Sequence, residues 1–348
     1  MDITILKQTA QALVAPGKGI LAADESTKTI AKRLEKIGVE SNPEINLAYR
    51  KMLFTTPGIE QYLSGVILYD ETIRQSIDSA SVPQYLAGKG IIPGIKVDKG
   101  AWLLPNFPEE KVTEGLDGLR DRLTEYKEIG AKFAKWRAVI TIGEEIPTDT
   151  CIEANAEVLA RYAALCQEQD IVPVVEPEVL MDADNDLERC KEVTTMTLKK
   201  VFERLSAHKV VLEGMLLKPN MVISGKKSPT QASSQEVAEA TVKTFLEVVP
   251  GQVPGIVFLS GGQTPNQATE NLAEINKVPG SPWQMSFSYG RALQDEALTT
   301  WAGKEENVRA AQQAFLERAK KVGESLAEYA RKAIKEQVKK DKKKKVND

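Results

Sequence analysis

Lys218 stands in EGMLLKPN, residues 213–220, at the end of an apolar run, with Pro219 directly after it. Proline fixes its own φ and carries no backbone donor, so no helix forms around this lysine. A free lysine has a pKa near 10.4, which leaves only about one in 2,500 uncharged at neutral pH. A nucleophilic amine needs its lone pair, and bringing the pKa to ~7 takes about 4–5 kcal/mol of bias toward the neutral form. Two agents can supply that bias: removal from water in an apolar strand, and a nearby cation such as Lys135. Glu176 and Glu178 would push the other way if they lay as close. A neutral amine so placed attacks a carbonyl and forms a Schiff base, and adjacent carboxylates relay protons during dehydration and carbon–carbon cleavage.

The other candidates come in pairs spaced by two, which share one face of a strand. Lys135 and Arg137 do so in FAKWR, Glu176 and Glu178 in VVEPE around Pro177, and Lys96 and Asp98 in GIKVDKG. Structural ion pairs are the plain alternative for any single pair. Two lysines, an arginine and two glutamates at the ends of three consecutive strands argue for chemistry, because burying so many charges is costly unless they serve something. Two further sets suit phosphate. LSGGQ follows an apolar run and offers backbone N–H groups at Ser260, Gly261 and Gly262, and SYGRA adds Ser288, Gly290 and Arg291. Lys96, Ser26 and Arg33 form a second set, and two phosphate sites flanking an imine-forming lysine suggest a bisphosphorylated sugar.

Composition removes competing chemistries. Among 348 residues there is one histidine, His208, and three cysteines, Cys151, Cys166 and Cys190, with no CxxC spacing. Hydrolytic triads usually need a histidine base, and zinc sites need several histidines or thiolates, so no metal or cofactor is expected. His208, in RLSAHKVV, reads as a surface or capping residue. A net charge of -3 favours neither nucleic acid nor membrane, and no apolar stretch approaches the ~20 residues of a membrane span. The early Asp2 argues against a secretory signal, so a cytoplasmic protein is expected.

These residues need a frame. Apolar runs at 19–25, 65–71, 90–98, 133–140, 171–180, 210–219, 255–262 and 283–292 read as strands apolar on both faces. Amphipathic segments lie between most of them. Eight such strands predict an α/β fold, a closed (β/α)8 TIM barrel in one domain over residues 1–338, whose charged strand ends converge on one rim. The segment from Glu305 to about Gln337 reads as the last barrel helix with an extension, and residues 339–348 as a lysine-rich solvated tail.

The chain resembles class I fructose-1,6-bisphosphate aldolases, the metal-independent Schiff-base type. The resemblance rests on GKGILAADEST, GVILYDET, GIKVDKG, EGLDGL, FAKWR, ANAEVLARYA, VPVVEPE, LEGMLLKPNMV, FLSGGQ, INK and SFSYGRALQ, in family order from about residue 17 to about residue 310. It implies that Lys218 forms the Schiff base, that Glu176 is the main proton-transfer residue, and that Glu178 and Lys135 support carbinolamine formation and dehydration. It implies that Asp24 takes the proton from the 4-hydroxyl. Ser260, Gly261, Ser288, Gly290 and Arg291 match the carbon 1 phosphate site; Ser26, Arg33 and Lys96 match the carbon 6 side. Arg137 and Gly262 are grouped with the substrate-binding residues. It also implies a homotetramer. Two departures stand out: Thr29 replaces a serine but keeps the hydroxyl, and the last tyrosine is Tyr329 rather than a C-terminal one.

Two other readings stay open at this level. Another Schiff-base barrel enzyme, such as a transaldolase, fits Lys218 but not the full set of blocks. A phosphosugar-binding or cytoskeleton-binding scaffold, touching acidic surfaces through the Lys339–Lys345 run, belongs to a different class.

Overall fold

The structure, a computed structural model, describes residues 1–326; the lysine-rich segment lies outside the described residues. Eight parallel strands close on themselves in chain order. They are β1 (Gly19–Ala23), β2 (Leu63–Leu68), β3 (Ile92–Lys96), β4 (Phe133–Ile140), β5 (Val172–Val179), β6 (Leu216–Leu217), β7 (Gly255–Phe258) and β8 (Gln284–Tyr289). Closure is set by β8 against β1, where Ile20 faces Ser288 and Leu21 faces Tyr289. The chain is therefore a (β/α)8 TIM barrel, as its strand pattern predicts.

Along each strand the inward face changes character. On β4 the inward series runs Phe133, Lys135, Arg137, and on β5 it runs Val172, Val174, Glu176, Glu178. Ile20 and Ala22 lead to Asp24, and Leu216 leads to Lys218. The lower barrel is thus a dry cluster that includes Phe133, Val174, Leu216 and Val257, and the upper barrel is charged. The first helix, Ile3–Leu13, closes the bottom by adding Leu6, Ala10 and Leu13 to the same cluster. A second, larger core lies between the strands and the outer helices.

Several boundaries differ from the sequence reading, for physical reasons. The run at 210–219 contains only a two-residue strand, β6. Before it, Leu212–Gly214 turns tightly to meet the first helix; Lys7 pairs with Glu213 at 3.4 Å, and a Cβ on Gly214 would sit 2.9 Å from Leu6 Cβ. After it, Pro219 has no N–H with which to extend the ladder. Other runs extend past their strands: β7 stops at Phe258, leaving Ser260–Gly262 in a loop, and β8 stops at Tyr289, so that Arg291 opens the helix Arg291–Trp301. The first helix and two short hairpins, Ser76–Ile77 with Ala80–Ser81 and Ala101–Leu103 with Lys111–Thr113, were not anticipated. The segment from Glu305 begins with a single tight turn, Glu305–Asn307, then runs as a helix over 308–326. His208 caps the helix Leu187–Ala207 and meets Glu157 at 3.0 Å, and all three cysteines are buried and free.

The dry floor depends on close approach. A Cβ at Gly94 would lie 2.4 Å from Cζ of the Phe133 ring, inside the barrel wall. Gly94→Ala is therefore expected to destabilise the fold by about 1–3 kcal/mol through overpacking, measured by denaturant unfolding against the parent protein.

Candidate active site

Four buried ionisable groups form a chain across the barrel mouth. Lys218, 3 % exposed, is held by its N–H donating to the carbonyl of Val175 at 2.8 Å. Its Nζ lies 3.3 Å from Glu176 Oε1, and Glu176 Oε2 lies 3.3 Å from Lys135 Nζ. Lys135 Nζ in turn lies 2.6 Å from Asp24 Oδ2. Beside this chain, Arg137 donates to Glu178, and Lys96 is paired with Asp98.

The order of charges sets the proton affinities. Burial is the largest influence on Lys218 and lowers its pKa; Glu176 opposes this, and the ammonium of Lys135 adds to the lowering, so the net shift is downward. Lys135 is buried as well, but Asp24 and Glu176 together outweigh desolvation and raise its pKa well above the ordinary lysine value. Desolvation would raise Asp24, yet Lys135 and then Lys218 overcome it and hold the carboxyl well below the usual range. One lysine is thus biased toward the free amine and the other toward the cation.

The chain lies in a cleft of about 950 Å³ at the C-terminal mouth of the barrel. Eleven cationic side chains and seven carboxylates line it, an excess that suits a multiply phosphorylated anion. On one side, Ser260 and Gly261 from the loop after β7 meet Ser288, Gly290 and Arg291 after β8. Gly290 is the N-cap of the helix Arg291–Trp301 and supplies no side-chain cap, so the first N–H groups of that helix stay available to an anion. The Ser288 hydroxyl is buried without a hydrogen-bond partner. On the other side, Ser26 caps the helix Thr27–Glu35, and its hydroxyl lies 3.0 Å from that of Thr29. Arg33 pairs with Glu25 there.

This constellation agrees with the comparisons to known proteins. The family model described as fructose-bisphosphate aldolase class-I matches residues 5–347. The chain belongs to this family. A probable fructose-bisphosphate aldolase class 1 of Xanthomonas campestris pv. campestris is 58% identical over 325 residues, covering 93% of this chain and 97% of that protein. The cytosolic fructose-bisphosphate aldolase 4 of Arabidopsis thaliana is 52% identical over 307 residues, covering 88% and 78%. The solved Plasmodium falciparum fructose-bisphosphate aldolase, in a ternary complex with TRAP and a small-molecule inhibitor, superposes with a TM-score of 0.91 at 47% identity, covering 93% and 94%.

In this class I aldolase the cleft brings together all but one of the residues singled out in the sequence. Gly262 is the exception. It does not line the cleft, its φ is +78, and a Cβ there would meet Met181 Cγ at 1.9 Å, so glycine serves the turn. Sequence reasoning passed over Lys32 and Lys36, which line the cleft near Arg33, and Arg74, Lys99 and Arg122 on the opposite rim. The first two were findable, since Thr29, Lys32, Arg33 and Lys36 recur at helical spacing on one face. Of the other three, Arg74 ends the short helix Asp70–Ile73, Lys99 lies in the loop after β3 and Arg122 in the helix Leu119–Ile129, and only the fold brings them to one cleft. Among the described residues, no cluster of three or more histidine, cysteine or carboxylate groups could hold a metal.

The charge order generates a pH prediction. Lys135 lowers the pKa of Lys218, so Lys135→Met is expected to raise it and to move the acid limb of Schiff-base formation to higher pH. The pH profile of borohydride inactivation in the presence of dihydroxyacetone phosphate checks the sign; a shift to lower pH contradicts the account.

Proposed function

We propose that the aldol cleavage of fructose 1,6-bisphosphate to dihydroxyacetone phosphate and glyceraldehyde 3-phosphate, the family's reaction, runs in this chain through an imine on Lys218. The observation that carries the assignment is a buried amine of lowered pKa, 3.3 Å from a carboxylate oxygen, between two anion-accepting regions of one cleft. The neutral Lys218 amine attacks the carbon 2 carbonyl. Glu176 lies within reach of both lysines and carries protons to the departing oxygen as the carbinolamine loses water. Lys135, held as a cation, and Glu178, held by Arg137, fix the field around that step.

Cleavage then couples two charges. Asp24 accepts the 4-hydroxyl proton as the bond between carbons 3 and 4 breaks, and the electron pair flows into the iminium. The positive charge at Lys218 is one of those that depress the Asp24 pKa, so its loss on forming the neutral enamine strengthens the base as the proton arrives. Ser260, Gly261, Ser288, Gly290 and Arg291 bind the carbon 1 phosphate; Ser26, Thr29, Arg33 and Lys96 serve the carbon 6 end, with Lys32 and Lys36 beside them. A cytoplasmic protein is part of the proposal, supported by the cytosolic plant relative and the three unpaired cysteines, and a homo-oligomer is proposed from family resemblance alone. Among the described residues, no helix is long and apolar enough to cross a membrane.

Borohydride added with dihydroxyacetone phosphate is expected to label Lys218 and abolish activity, with peptide mapping as the readout. Label at any other lysine contradicts the assignment. Glu176→Gln is expected to cost about 10²–10⁴-fold in kcat as proton transfer is lost. Chelators are expected to leave turnover unchanged.

A further inference from the structure

Arg318 lies on the helix 308–326, far along the chain from every residue placed in the reaction so far, and is 7 % exposed. Its Nε donates to the carbonyl of Ala292 at 3.0 Å and its Nη1 to Asn266 Oδ1 at 3.2 Å, while Nη2 donates to the carbonyl of Pro265 and the hydroxyl of Thr269. All four acceptors are neutral, and among the described residues no carboxylate lies within ion-pair distance of this guanidinium.

The acceptors share a location. Pro265 is the first residue of the helix Pro265–Lys277, which leaves the loop carrying Ser260 and Gly261. Ala292 is the second residue of the helix Arg291–Trp301, which leaves the loop carrying Ser288 and Gly290. One planar fork thus ties together the first turns of the helices behind both halves of a single subsite. Tyr289 adds a parallel tie, its hydroxyl donating to the carbonyl of Ala268 at 2.8 Å.

For stability alone the charge has the wrong sign. Helix N-termini carry partial positive charge and favour anions. A buried cation at two such ends, with no carboxylate within ion-pair distance among the described residues and the more distant Glu296 the only carboxylate opposing its desolvation, is costly. A phosphate bound between the loop carrying Ser260 and Gly261 and the start of the helix Arg291–Trp301, in front of those two helix starts, supplies the negative charge the guanidinium lacks.

We infer that Arg318 is a positioning residue for the carbon 1 phosphate. Its guanidinium sets the spacing of the loops after β7 and β8 and adds a buried positive charge behind them. This rests on reading Ser260, Gly261, Ser288, Gly290 and Arg291 as that phosphate's site. Arg318 does not touch the substrate, so its removal weakens phosphate recognition and leaves the Lys218 amine reactive.

The test uses the full chain carrying Arg318→Met, Arg318→Lys or Ser288→Ala. Two quantities are read: the dihydroxyacetone phosphate concentration giving half-maximal borohydride inactivation, and the inactivation rate with unphosphorylated dihydroxyacetone. Arg318→Met is expected to raise the first about tenfold or more, in line with losing charged hydrogen bonds, and to leave the second unchanged. Arg318→Lys, which keeps the charge and loses the fork, is expected to fall between. Unchanged phosphate dependence in both Arg318 variants, with Ser288→Ala impaired, overturns the role of Arg318 alone. Ser288→Ala without effect overturns the phosphate-site reading and this inference with it. Equal loss with both ketones, or failure of both Arg318 variants to fold, shows a purely structural residue and also overturns the inference.

Discussion

Everything at this barrel mouth depends on the order in which four buried charges alternate. Lys218, Glu176, Lys135 and Asp24 form a line in which each inner member touches two partners and each outer member one. Desolvation acts on both lysines and always disfavours the cation. Lys135 has carboxylates on two sides and stays charged; Lys218 has one, plus a competing ammonium, and is pushed toward neutrality. Identical side chains therefore acquire opposite chemical roles from position in the line. Each pKa unit separating them corresponds to about 1.4 kcal/mol, so the geometry does what no choice of residue type could.

The fold protects that line by dividing the barrel lengthwise. Below, strands present valine, isoleucine and phenylalanine inward, and the first helix seals the end with Leu6 and Leu13. Above, the same inward face carries lysine, arginine and glutamate. The dry floor keeps water from reaching the charges from beneath, which preserves the desolvation that Lys218 needs. Strand ends present the ionisable groups of the cleft, whereas loops and helix starts present the N–H and hydroxyl groups proposed to hold phosphate; rigid ladder positions suit proton transfer between groups 3.3 Å apart, and exposed N–H groups suit an anion.

Much of the site was legible in the sequence. Period-two pairs such as Lys135 with Arg137 and Glu176 with Glu178 announced one inward face, because successive side chains of a regular strand point to opposite faces. Lys218 betrayed itself by interrupting an apolar run before a proline. The barrel followed from eight doubly apolar segments. Less legible were the limits of the strands: no proline or charge run marks the end of β7 or β8, and the short residues Ser260, Gly261 and Gly290 extend the strand reading past the point where the ladder ends. Gly262 shows the converse, a residue inside a phosphate-loop motif whose left-handed backbone and close approach to Met181 by themselves require glycine.

Residue types and local spacing, then, determined the chemistry on offer: an amine, two glutamates, an aspartate, and glycine–serine loops after apolar strands. These properties are covalent or short-range, and they survive in an unfolded chain. Only the tertiary structure decided which amine is neutral, since that follows from distances between side chains on β4, β5, β6 and the end of β1. Only it brought Arg74 and Arg122 to the cleft, and placed Arg318 behind loops that lie far from it in the chain. Charge interactions fall off with separation in space, and separation along the sequence carries no record of that.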